Sequence, residues 1–87
     1  MKIYYADKPA LCGTVDEWLE GETWPLGNNT FGIKLDDGKF LSVQPDATYE
    51  ERDAVGGSYE MFTLDPSINV LIVQPRTATY KIPYRER

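Results

Sequence analysis

The stretch Thr30–Pro45, TFGIKLDDGKFLSVQP, constrains this chain more than any other, because two alternating runs fold back on Asp36-Asp37-Gly38. If Asp37-Gly38 alone made a two-residue turn, Ile33 would face Ser42 and Phe31 would face Gln44, spoiling one face of the ribbon. If Asp36-Asp37-Gly38 is a three-residue loop with Gly38 left-handed at a bulge, Ile33 meets Leu41 and Phe31 meets Val43, and one face is apolar. The second register is the one expected. The other face then carries Gly32, Lys34, Phe40 and Ser42, mostly polar around one aromatic. The result is a half-buried antiparallel ribbon.

The rest of the chain supplies strands for that ribbon to join. Met1–Ala6 alternates, with Ile3 and Tyr5 on one side, and Asp7-Lys8-Pro9 ends it. Thr14-Val15-Asp16-Glu17 fits a capping box, which predicts a short helix over Val15–Glu20 stopped by Gly21; the competing reading is a strand from Cys12 to Leu19. Glu22–Asn29, with Trp24-Pro25 and Gly27-Asn28-Asn29, reads as a loop. Thr48 and Glu51 repeat the capping logic, and Tyr49–Asp53 reads as a surface turn of helix before Gly56-Gly57. Ser58–Leu64 reads as a strand and Asp65-Pro66-Ser67 as a turn. Apolar residues on both faces of Val70–Val73 predict a strand covered on both sides. Thr77–Pro83 closes the sheet, Pro83 fitting only at a strand end or edge. The expected fold is mainly β: a small, twisted antiparallel sheet of five or six strands, a partly closed barrel with one short helix. Ile33, Leu41, Val43, Val70 and Ile72 are its expected core.

With 87 residues, the chain has room for one domain, 1–87, with 84–87 as a frayed basic tail. Its net charge of −5 is uneven: five basic and thirteen acidic side chains precede Pro66, four basic and one acidic follow Ser58–Asp65. Most of the surface therefore repels nucleic acid, and only the last strand and tail attract it. Cys12 is the sole cysteine and there is no histidine, so an internal disulfide is excluded and zinc is disfavoured. No long apolar run or charged-then-apolar leader is present, which points to a cytoplasmic protein without a membrane segment. Asn28-Asn29-Thr30 matches a glycosylation acceptor, a pattern too short to carry weight. Leu41–Tyr49 resembles Leu71–Tyr80 with one insertion, which two strands ending at the same kind of Pro turn explain.

Without histidine, carboxylates, Lys, Tyr and Cys12 are all that remain for catalysis. Cys12 lies two residues before the proposed cap, but a small buried apolar role suits it better than a reactive thiolate. No enzyme, cofactor or metal is expected. Two constellations suggest binding instead. Asp16, Glu17, Trp18, Glu20, Glu22 and Trp24, with a second set at Glu50, Glu51 and Asp53, combine tryptophan anchors with negative charge that would steer them onto a basic protein surface. Arg76, Tyr80, Lys81, Tyr84, Arg85 and Arg87 interleave cations with rings, as a small barrel does when it binds single strands. The leading expectation is a non-enzymatic binding protein acting on a larger protein with a basic surface, an inhibitor or accessory factor of the kind phages and mobile elements encode. The alternatives are a nucleic-acid-binding barrel using the C-terminal face, and a structural subunit that completes an assembly by sheet-edge contact.

Overall fold

The computed structural model describes residues 1–8, 15–46, 48–67, 69–73 and 81–87. Its strands are β1 (Lys2–Ala6), β2 (Trp18–Gly27), β3 (Thr30–Lys34), β4 (Phe40–Val43), β5 (Tyr49–Arg52), β6 (Phe62–Asp65), β7 (Val70–Val73) and β8 (Lys81–Glu86). All pairings are antiparallel in the order β2-β1-β8-β7-β6-β3, and β2 returns to pair with β3. Six strands therefore close a barrel, to which β4 and β5 are added. The sheet is larger than the five or six strands expected, and its barrel is fully rather than partly closed. Closure removes the edges of the six barrel strands and leaves β5 at the end of the pairing order.

The central hairpin has the three-residue register. Lys34 pairs with Phe40, Leu35 N–H donates to the Lys39 carbonyl at 2.7 Å, and Gly38 sits at φ 84°. A glycine there avoids the Cβ clash of the left-handed region. Asp37 Oδ1 accepts from Lys39 N–H at 3.0 Å and braces the loop. Phe31, Ile33, Leu41 and Val43 are all buried. The second edge of β3 is shared: its C-terminal end pairs with β4, and Phe31 pairs with Phe62 of β6. This division lets β4 and β5 leave the barrel wall. β5 still reaches β1, where Tyr49 meets Tyr5 edge-on at 6.0 Å and donates its hydroxyl to the Ala6 carbonyl at 2.8 Å. Burial, with smaller contributions from Glu51 and Asp36, pushes the Tyr5 phenol up to about 12; burial raises Tyr49 in the same direction.

Several expectations about elements are corrected. Val15–Glu20 is not a helix: Val15–Glu17 is irregular and Trp18 opens the ten-residue β2, which also absorbs most of the expected loop Glu22–Asn29. The competing strand through Leu19 has the right type at its end, while residues 9–14, including Cys12 and Thr14, lie outside those described. Of Tyr49–Asp53, the residues Tyr49–Arg52 are extended as β5, each paired with β4, and Asp53 is a bend after the strand. Capping chemistry was outweighed by strand pairing in both places, with β1 and β3 for β2 and with the preceding strand β4 for β5. The only helical turn among the described residues is 3-10, at Ser58–Glu60, within the expected strand Ser58–Leu64. None is long and apolar enough to cross a membrane.

On β7 the expected inward face is reversed: Leu71 and Val73 are buried, whereas Val70 and Ile72 are half-buried. With apolar residues on both faces, periodicity cannot choose between them; the pairings Phe62↔Val73 and Leu71↔Ile82 do. Pro83 lies inside β8 and not at its end, yet it breaks nothing. Lys81–Pro83 pair with β7 and Tyr84–Glu86 pair with β1, so the proline sits where one neighbour takes over from the other. Residues 84–86 are consequently strand and not a frayed tail. Of the internal similarity, residues 74–80 lie outside those described.

Candidate binding face

Strand β2 packs Leu19 against the core and, two residues on, turns the glycine Gly21 inward, with its largest side chains outside. Gly21 is buried, and a Cβ placed there would come within 2.5 Å of Ile33 Cγ2 and 3.3 Å of Tyr5 Cε1. The alternate positions Trp18, Glu20, Glu22 and Trp24 therefore share the outer face of the barrel. Register supplies their neighbours. Glu22 lies between Lys2 of β1 and Lys34 of β3, and Glu20 lies opposite Tyr4, which in turn pairs with Arg85. Opposite charges so placed across strands attract.

Both tryptophans carry a cation over the ring. Arg85 lies 4.8 Å from the Trp18 ring and 5.3 Å from that of Tyr4, while Lys34 Nζ lies 4.4 Å from the Trp24 ring. Trp24 is braced edge-on by Phe40 at 6.1 Å and remains 44% exposed. Arg87 reaches Glu20 at 3.4 Å, and its N–H donates to the Lys2 carbonyl at 3.2 Å. The acidic and basic constellations, remote in sequence, thus merge in part into one mixed face. Lys2, Tyr4, Lys34 and Phe40 complete it. Sequence reading missed these four because only strand register places them beside Trp18 and Trp24.

The remaining candidates lie elsewhere. Asp16 forms an exposed ion pair with Lys8 at 2.7 Å, whose hydrogen bond holds its carboxyl below the ordinary value; exposed Glu17 precedes β2. On β5, Glu50 pairs with Arg52 and Asp53 follows the strand as an exposed residue. Glu51 belongs to a different pair: a hydrogen bond with Asp37 raises Glu51, while Asp37 is held low chiefly by the Lys39 N–H. The nine residues of the acidic set do not form one surface. Among the basic set, Tyr84 is buried opposite Tyr5 and cannot offer its ring to a base. Lys81 is exposed on β8 beside Ile72, and Arg76 and Tyr80 lie outside the described residues.

A second polar feature was not anticipated. Glu60 is 6% exposed; its carboxylate accepts from the Ser42 hydroxyl at 2.7 Å and Gly56 N–H at 3.0 Å, and the Gln44 amide donates to Ser42 at 2.9 Å. Val55 comes close over Gly32, where a Cβ would lie 3.1 Å from Val55 Cγ2. Residues 55–60 therefore cover the outer side of β3 and β4, with Ser42 buried where a solvent-facing residue was expected. The network has satisfied partners and pins this layer. Among the described residues no group of three potential metal ligands converges. The chain matches no family model, no curated protein and no solved structure.

Proposed function

We propose that this protein is a non-enzymatic binding module that contacts a larger protein through the outer face of β8, β1, β2 and β3. The observation that carries this reading is the convergence of Trp18, Tyr4 and Arg85 with Trp24 and Lys34 on one face of the barrel. Tryptophan, tyrosine and arginine are the residues that most often anchor protein interfaces. Their placement on paired strands holds them at low entropic cost before binding.

The balance of charge on this face changes the steering argument. Glu20 and Glu22 are interleaved with Lys2, Lys34, Arg85 and Arg87, so the face offers a partner alternating charge rather than a uniformly acidic patch. An inhibitor or accessory role fits such a face when the partner carries the complementary alternation. The test is capture of a partner by the wild-type chain, followed by comparison of Trp18→Ala, Arg85→Glu and Glu17→Lys. Loss with the first two, at unchanged thermal stability, and retention with Glu17→Lys supports the reading. Equal capture by all three places the contact elsewhere. Filter binding of single-stranded nucleic acid at two salt concentrations is the counter-test: tight, steeply salt-dependent retention favours the nucleic-acid alternative.

A further inference from the structure

We infer that the groove beside Trp24 binds a neutral polyhydroxylated ligand, a short sugar, with the indole as its platform. The groove, about 560 Å³, runs over the barrel rim where β1 begins and β8 ends, against the Asp36–Gly38 turn. That size suits a small ligand. Its cations are Lys2, Lys34 and Arg87; its carboxylates are Glu20, Glu22, Asp36 and Asp37.

The mixture decides the chemistry. A phosphate would enter a groove lined by four carboxylates, and a polyamine one lined by three cations. Hydroxyl groups each donate and accept, so a ligand carrying many of them satisfies ammonium and carboxylate groups alike without carrying charge into either. The existing pairs do not block it. Arg87 and Glu20 are 3.4 Å apart with both side chains more than 40% exposed, a weak pairing that a ligand can replace. Trp24 supplies the apolar surface on which the C–H face of a sugar ring can rest once the flexible Lys34 side chain, whose Nζ lies 4.4 Å from the ring, turns to a ligand hydroxyl, and Phe40 braces the indole edge-on. This inference goes beyond protein contact: the groove shares Trp24 and Lys34 with the proposed contact face, but Trp18, Tyr4 and Arg85 do not line it.

The experiment titrates the full 15N-labelled chain with a panel of neutral disaccharides (lactose, maltose, cellobiose and diacetylchitobiose), with inorganic phosphate and spermidine in parallel. The Trp24 indole N–H and the Gly21 and Gly38 amides are followed by NMR. The expected result is a saturable shift of these signals by at least one disaccharide, at concentrations on the order of 1–10 mM, with the Trp18 indole unmoved. Trp24→Ala abolishes the Gly21 and Gly38 shifts, and Glu22→Gln weakens binding about tenfold, the value of a hydrogen bond to a charged group, while the spectrum stays folded. Arg85→Glu keeps sugar binding while weakening partner capture, so the two readings fail separately. No saturable shift with any disaccharide overturns the inference, as does a stronger response to phosphate or spermidine, or unchanged binding by Trp24→Ala.

Discussion

β2 and the β3–β4 hairpin lie side by side in the same sheet and contribute to its core in different ways. The hairpin sends Phe31, Ile33, Leu41 and Val43 inward and turns on residues chosen for their backbone conformations. β2 sends Gly21 inward and holds Trp18 and Trp24 outside, because Ile33 on one neighbour and Tyr5 on the other already occupy the space a side chain would need. A small closed barrel has a narrow interior, so its strands cannot all contribute large residues at one level. The lesson is that the inward face of a strand is set by what its neighbours contribute. It can then be the face with the smaller residues.

The largest loss is expected from emptying the hairpin side. Ile33→Ala is expected to cost about 2–5 kcal/mol, measured by denaturant unfolding, since Ile33 is fully buried. Gly21→Ala should follow at about 1–3 kcal/mol, as overpacking against Ile33 Cγ2 forces a shift. In an Ile33→Ala background the same substitution should cost clearly less. Additive losses would show that the two residues do not compete for space. Gly38→Ala is expected to cost about 1–2 kcal/mol for a left-handed alanine, a local effect independent of either residue.

Trp24→Ala should cost less than about 1 kcal/mol despite the size of the ring, because its site is on the surface. A larger loss would mean that β2 depends on its outer face. The smallest effect is one of pH, where the hairpin turn meets β5. Glu51 is raised, so its contribution to stability is present below its unfolded pKa and is lost as pH rises through its folded value. Asp37 is lowered, so its contribution is present above its unfolded pKa and is lost as pH falls through its folded value. Carboxyl NMR titration should resolve the two in those directions. Glu51→Gln should leave Asp37 still low, since the Lys39 N–H is its main stabiliser.

The hairpin was legible because everything that defines it lies within sixteen residues: alternation on both arms, three residues between them, and a glycine where φ is positive. The Asn28-Asn29 turn, with φ of 54° and 61°, was equally local, and its turn-forming composition was read while the strand leading into it was not. The candidate residues were legible only as types. Trp18, Glu20, Glu22 and Trp24 were singled out as an acidic aromatic group, and Arg85 and Arg87 as part of a rival basic one.

The β class, the hairpin register and the chemical character of the candidate residues follow from side-chain order over short distances and were readable in the sequence alone. Tertiary structure decided that β2 is a strand, that Leu71 rather than Ile72 faces inward, and that Trp18 and Glu20 of one group meet Arg85 and Arg87 of the other. In each case the deciding term is volume or pairing supplied by residues far along the chain: Tyr5 and Ile33 around Gly21, Ile82 beside Leu71, and Tyr4 of β1 between Arg85 and Glu20.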